Sequence, residues 1–148
     1  MMRASSFGVV LLTLLLIPTA THACTCDWSR TGLKMKDSFS KARAVFLGEV
    51  TKVVPGEERD PIYGGMFLYV AFRVERFWKG VKGESIEVLA MVPAACGGPT
   101  YEVGRSYLVY AYGKELETGG CTRSRRREDA GEDFAFLGKG KVPKPKKG

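Results

Sequence analysis

The chain has 148 residues, 45% of them hydrophobic, and its 23 Lys and Arg residues outnumber its 16 Asp and Glu residues for a net charge of +7. The only histidine is His22, inside an N-terminal segment that we expect to be removed, which excludes Ser–His or Cys–His nucleophiles and histidine-ligated metals from the mature protein. No glycine pattern fits a phosphate-binding loop. We therefore expect a protein that is not an enzyme and has no cofactor of its own.

Residues 1–23 have the layout of a secretory signal peptide. Arg3 precedes an apolar run from Phe7 to Ile17, and the segment ends in small residues at Ala23. The apolar run is shorter than the roughly 18 residues that a membrane-spanning helix needs. We expect cleavage after Ala23, no transmembrane segment in the mature chain, and secretion to the extracellular space or a periplasm.

The mature chain would begin at Cys24, and Cys26 follows after one threonine. Two such close thiols could be metal ligands, a redox pair, a lipid attachment point or the anchors of two disulfides, although the residues before Cys24 fit a lipid signal poorly. With Cys96 and Cys121 they form an even set, which in an oxidising compartment favours a disulfide framework. A bond between Cys24 and Cys26 would close a very tight ring, so we expect each to bond to one of the distant pair. The spacing does not say to which one.

After cleavage about 125 residues remain, enough for one domain with a core. In chain order, helical spacing predicts a helix over Leu33–Ala42, alternating or apolar runs predict five strands, and helical spacing returns over Arg127–Leu137. The strands are bounded by Gly, Pro or charged turns and cover Ala44–Val54, Met66–Trp78, Ser85–Val92, Ser106–Tyr112 and Leu116–Cys121. Gly48 predicts a bulge in the first strand. Five short strands favour a closed or nearly closed barrel, because a single open sheet would leave one apolar face in water.

Aromatic side chains recur along the second predicted strand. They could form a ligand platform, but their spacing along a strand favours core and cross-strand packing. We therefore assign to the core Phe67, Tyr69, Phe72, Phe77 and Trp78.

From Lys139 to the end the chain reads KGKVPKPKKG, with five lysines and no acidic residue. Such a segment has too little apolar surface to fold, so we predict a folded domain over 24–138 and a basic disordered tail over 139–148. The basic excess makes an anionic polysaccharide a candidate partner of this tail.

The order of these segments resembles a known family. It consists of CxC at the mature start, "ARAVFLGEV", a loop with "IYGG", "VERFWKG", "ESIEVLAMVPAACGG", "YEVGRSYLVYA" and a late cysteine at Cys121. This order is similar to that of the N-terminal, netrin-like domain of the tissue inhibitors of metalloproteinases, over Cys24 to about Cys121. The resemblance implies a mainly β, five-stranded OB-fold-like barrel with two flanking helices and two disulfides, Cys24–Cys96 and Cys26–Cys121.

The resemblance also implies a function, the inhibition of zinc metalloendopeptidases. The free α-amino group and carbonyl oxygen of Cys24 would chelate the catalytic zinc, which belongs to the target protease. The side chain of Thr25 would point into the pocket beyond the metal. The protease-contacting residues would be Thr25, Cys26, Asp27, Ala94 and Ala95.

Other features of the sequence keep a second function open. The third disulfide and the second cysteine-rich domain of the animal inhibitors do not appear in this sequence, and Asp27–Trp28 replaces an apolar residue followed by proline. The alternative is a netrin-like extracellular module that binds polyanions or a partner protein without touching zinc. A nucleic-acid-binding OB fold is disfavoured by the signal peptide and the cystines.

Overall fold

The computed structural model of the protein describes residues 25–32, 34–59, 65–92 and 98–145. Several sequence predictions lie outside these residues. They are the signal peptide over 1–23, Cys24, and the segment with Ala94, Ala95 and Cys96.

One curled sheet dominates the structure, which confirms the mainly β prediction. It has six strands in the order β5-β3-β2-β1-β4-β6. The strands are β1 (Ala44–Arg59), β2 (Met66–Lys79), β3 (Ser85–Val92), β4 (Ser106–Ala111), β5 (Glu117–Gly119) and β6 (Arg125–Arg126). The prediction of five strands is therefore wrong by one, because β6 is too short to show any alternation of its own and exists by pairing with β4.

The long strand β1 produces much of the curl. It pairs with β2 along its length and with β4 through its first half, and it continues to Arg59 through a stretch predicted to be a loop. The predicted bulge is confirmed, because the register with β2 shifts between Leu47 and Gly48. A Cβ at Gly48 would lie 3.0 Å from the carbonyl oxygen of Arg73, so glycine permits the close approach of the two strands.

The two ends of the sheet approach each other at β5. This strand pairs in parallel with β3, Leu89 opposite Glu117 and Met91 opposite Gly119. On its other side, Tyr112 and Glu117 exchange two backbone hydrogen bonds of 2.8 Å just beyond the end of β4. The sheet is thus a curled half-barrel. Its β4 and β5 sides are joined by this one bridge and not by a continuous ladder of hydrogen bonds, so a fully closed barrel is not observed.

The inside of the half-barrel holds the main core. Its aromatic centre packs edge to face, with ring centroids 5.3 Å apart for Phe46 and Phe72 and 5.7 Å apart for Phe72 and Tyr101. Of the aromatic residues predicted to be core, Phe72 is fully buried and Phe67, Phe77 and Trp78 are partly buried. Tyr69 is 47% exposed, because it lies on the outer face of β2, so its assignment to the core is wrong.

Helices cover part of the outer face. They are α1 (Trp28–Thr31), α2 (Met35–Lys41) and α3 (Gly131–Leu137), the last preceded by a 3-10 turn over Arg127–Asp129. The two predicted flanking helices are thus present with shorter bounds, while α1 was not predicted. Helices α2 and α3 pack through Phe39, Phe134 and Leu137 on a second cluster formed by Ala42, Val45, Leu108, Tyr110, Tyr112 and Ala130. Because β4 is buried on both faces, it reads as a continuous apolar run.

The C-terminal segment is ordered further than predicted. Lys141 and Phe77 exchange two backbone hydrogen bonds of 2.8 Å, and the indole nitrogen of Trp78 donates to the carbonyl oxygen of Gly138 at 3.0 Å. The prediction of disorder from Lys139 onward is therefore wrong for the residues up to Lys141. The reason is that β2 runs past the start of β3, and the C-terminal segment pairs with the backbone of β2 there.

Candidate functional site

A disulfide joins the N-terminal segment to the end of β5. It links Cys26 to Cys121, whose Cα atoms lie 5.3 Å apart and which are separated by 95 positions in sequence. This bond is one of the two that the family resemblance implies. The second pair, Cys24 and Cys96, lies outside the described residues.

Asp27, one of the proposed protease-contacting residues, begins helix α1. Its Oδ1 accepts a hydrogen bond of 2.9 Å from the backbone N–H of Ser29, which is the usual geometry of an N-cap. Hydrogen bonds from Ser29 hold the pKa of the Asp27 carboxyl below its usual value. The charge of Asp27 thus has a local structural role, and the Asp-x-Ser pattern could have indicated it.

Two side chains from elsewhere in the fold hold α1 in place. The ammonium group of Lys41 donates to the carbonyl oxygens of Trp28 and Ser29 at 3.3 and 2.8 Å. The guanidinium of Arg30 pairs with the carboxylate of Glu117 on β5 at 3.1 Å. The segment that follows Cys26 is therefore attached to α2 and to β5 as well as through the disulfide.

Glycines allow the segment after Cys96 to contact the loop that carries Cys121. Gly98 has φ +108°, and a Cβ there would lie 2.9 Å from the backbone N and Cα of Gly120. A Cβ at Gly119 would lie 2.9 Å from the carbonyl oxygen of Met91. Gly98 and Gly119 therefore each permit a close approach between two backbones that a side chain would prevent.

The Cys121 loop is held by hydroxyl groups. Thr122 Oγ1 donates to the carbonyl oxygen of Gly119 at 2.8 Å and closes a tight turn around the cysteine. The hydroxyl of Ser124 accepts from the backbone N–H of Tyr110 at 2.9 Å and lies 2.6 Å from Thr118 Oγ1. These contacts fix the loop to β4 and β5, and the sequence analysis did not single out any of them.

A buried charge supports the same loop from α3. Asp133 is fully buried, and its carboxylate accepts from Arg123 Nε at 2.8 Å and from Arg123 Nη2 at 3.1 Å. The hydroxyl of Tyr110 donates to Asp133 Oδ1 at 3.0 Å. The hydrogen bond to Asp133 raises the pKa of Arg123, and burial raises the pKa of Tyr110. The guanidinium of Arg123 therefore stays charged, and its hydrogen bonds with Asp133 anchor α3 to the chain two residues beyond Cys121.

The described part of the predicted site is assembled as follows. Thr25 and Asp27 are exposed and Cys26 is partly buried, all beside the Cys121 loop.

Within the described residues, no group of His, Cys, Asp and Glu side chains could hold a metal ion. No helix in this part of the chain has the length and the apolar character that a membrane crossing requires.

The chain was also compared with known proteins. No known protein family has a model that matches the chain, and no curated protein matches it.

Proposed function

We propose that this protein is a secreted inhibitor of zinc metalloproteases built on an OB-fold-like barrel. The strand pairing supports the fold: β1, β2 and β3 form an antiparallel meander, β5 pairs in parallel with β3, and its bridge to Tyr112 returns the sheet to β4. The disulfide supports an oxidising compartment. The resemblance to the netrin-like domain of the tissue inhibitors of metalloproteinases supplies the function.

In this proposal the zinc-binding group is the mature N-terminus, that is, the α-amino group and the carbonyl oxygen of Cys24. A catalytic zinc keeps one coordination position open for water. An amine and a carbonyl oxygen in the same residue form a five-membered chelate that fills this position and displaces the water. Only the neutral amine binds metal, and a free α-amino group has a pKa of about 7.7 to 8.0. Protons therefore compete with zinc, and inhibition is expected to weaken as the pH falls below that range.

The observation that carries the proposal is the meeting of two segments at one loop. The N-terminal segment reaches this loop through the disulfide of Cys26 with Cys121, and the segment after Cys96 reaches it through the contact of Gly98 with Gly120. The resemblance assigns to the protease-facing surface the first of these segments and also Ala94 and Ala95, which lie a few residues before Gly98 in sequence and outside the described residues. The attachment of the two segments to one rigid loop reduces the entropy that they would lose on binding a protease.

The side chain of Thr25 provides the first test. It is exposed one residue before the disulfide. Thr25→Gly is expected to raise the inhibition constant about tenfold or more for proteases with a pocket beyond the zinc, because a missing group in such a pocket costs about 1 to 3 kcal/mol. Inhibition should persist for other zinc proteases, since the chelating atoms are unchanged. The measurement is the inhibition constant of the mature protein against a set of zinc endopeptidases.

Thr25→Val is the matched control, because it keeps the branched shape and loses only the hydroxyl. It should stay closer to the unchanged protein than Thr25→Gly does. Equal inhibition constants for all three proteins would contradict a pocket contact by residue 25. A mature chain that inhibits no zinc endopeptidase would instead favour the extracellular binding module.

A further inference from the structure

We infer that the end of the half-barrel where β1 starts and β2 and β4 end is a binding surface for an anionic polysaccharide. Four separate parts of the chain bring cations to this end: the residue before β1, the β2–β3 turn with the last residue of β2, the β4–β5 turn and the C-terminal segment. We define this basic end by Arg43, Lys79, Lys82, Lys114, Lys139 and Lys141.

The pairing of the strands places these residues together. Arg43 donates its backbone N–H to Ala111, the last residue of β4, and a Cβ at Gly80 would clash with the carbonyl oxygen of Arg43. The β2–β3 and β4–β5 turns follow strand ends that lie side by side, because Val45 at the start of β1 pairs with Lys79 of β2 and with Tyr110 of β4. Val81 and Leu116, one from each turn, both pack on the main core. Lys82 and Lys114 are exposed next to these two apolar side chains.

The C-terminal segment extends the basic end along β2. Lys141 is held by its backbone pairing with Phe77, and a Cβ at Gly140 would lie 2.9 Å from the indole of Trp78. Lys139 and Lys141 are both exposed. Two of the tail lysines are therefore presented from a fixed backbone, which lowers the entropy that binding would otherwise cost.

The cations of the basic end have no acidic partner among the described residues, a property that they share with other surface cations such as Lys52 and Arg105. None of the six forms an ion pair within the part of the chain that the structure describes, and Lys79 donates only to the carbonyl oxygens of Phe39 and Ser40. Elsewhere, acidic partners neutralise the guanidinium groups of Arg30, Arg73, Arg123, Arg126 and Arg127. Glu84 and Glu115 are the acidic residues within the two turns. A positive potential therefore remains at this end and would attract a polyanion.

The β2–β3 turn of the basic end is distant from the disulfide along β3. It precedes Ser85, whereas Met91 at the far end of β3 lies opposite Gly119, close to Cys121 in sequence. Ser85 and Met91 are about 20 Å apart along an extended strand. The N-terminal segment approaches the rest of the basic end, because α1 contacts Lys41, two residues before Arg43, and Glu117, three residues after Lys114.

The presence of a disulfide favours a polysaccharide over a nucleic acid as the polyanion that binds the basic end. A cystine of this kind persists in an oxidising, extracellular compartment, where sulfated and carboxylated polysaccharides are the abundant polyanions. Nucleic-acid binding to single strands would also call for a row of exposed aromatic side chains among the cations. We therefore assign an anionic polysaccharide to the basic end.

The test measures binding of the mature protein to immobilised heparin, a sulfated polysaccharide, near an ionic strength of about 0.15 M and at lower salt. Lys82→Glu/Lys114→Glu should weaken binding at least about tenfold and make its salt dependence shallower, because fewer counterions are released. Lys52→Glu/Arg105→Glu is the matched control: it changes the net charge equally at exposed positions outside the basic end and should have a much smaller effect. Circular dichroism must show the same fold for all proteins.

A chain truncated after Pro143 separates the basic end from the remaining tail. It should keep most of the affinity for heparin. Hydrogen exchange with heparin bound should show protection in the β2–β3 and β4–β5 turns and no change around Gly98 and Cys121. Equal weakening by the two charge-reversal pairs, loss of binding on truncation alone, or displacement of heparin by lower concentrations of duplex DNA would each overturn the assignment.

Discussion

Replacing Asp133 with Asn is expected to lower the free energy of unfolding by about 3 to 5 kcal/mol, the usual cost of removing one partner of a buried ion pair. Asp133 is fully buried, and the side chain of Arg123 is only 19% exposed. An Asn at this position still fits and can still accept from Tyr110, but it leaves the Arg123 guanidinium charged, largely buried and uncompensated. Urea denaturation of both proteins measures the difference.

Two controls separate the buried charge from charge in general. Glu49→Gln removes the acid of the exposed pair with Arg73, whose side chains are 33% and 65% exposed, and should cost at most about 1 kcal/mol. Adding Arg123→Met to Asp133→Asn should restore part of the lost stability, because the unpaired charge is then gone. A loss for Asp133→Asn no larger than that for Glu49→Gln would contradict the role assigned to this pair.

Removing the disulfide with Cys26→Ser/Cys121→Ser is expected to lower the free energy of unfolding by about 2 to 5 kcal/mol. The two cysteines are 95 positions apart, and the loop that they close accounts for about 4.7 kcal/mol on the chain-entropy estimate. Helix α1 should lose amide protection before the strands do, because a few side-chain contacts, among them those of Lys41 and Arg30, then hold it against the described part of the fold. Denaturation and hydrogen exchange measure the two effects.

The expected loss of stability assumes that Cys26 and Cys121 are bonded to each other in the protein in solution. Peptide mapping without reductant should recover Cys26 joined to Cys121. A loss of less than about 1 kcal/mol in the double serine variant would show that the contacts of Lys41 and Arg30 are sufficient to hold the N-terminal segment, and that the disulfide does not determine its position.

The strands could be predicted where local signals are complete. The predicted range of β3, Ser85–Val92, is the observed one, because alternation and flanking turns mark both ends. The bulge at Gly48 was also predictable from a glycine inside an apolar strand. The extension of β1 to Arg59 was not, because its residues resemble a polar loop and become a strand by pairing with β2.

Features made by distant partners escaped the sequence analysis. Strand β6 exists by pairing with β4, and Lys141 is ordered by pairing with Phe77, neither of which leaves a local pattern. Asp133 is different. It lies three residues after Ala130 and directly before Phe134, on the apolar stripe of α3, so its position already indicated a buried acid that needs a partner.

Part of the candidate site was also open to prediction. The N-terminal CxC and the family resemblance indicated the bond of Cys26 with Cys121, which the structure contains. The contact of Gly98 with Gly120 was not predictable, because glycine pairs indicate turns equally well and only the folded sheet brings these two loops together.

The most direct test of the proposed function adds a single alanine before Cys24. The extension turns the basic amine into an amide nitrogen, which has no lone pair available for zinc, while the fold should be unchanged. The measurement is the inhibition constant of the mature and alanine-extended proteins against the same zinc endopeptidases, after N-terminal sequencing of both. The mature protein is expected to inhibit and the extended protein to have lost inhibition entirely. Equal inhibition by the two proteins would contradict zinc chelation by Cys24.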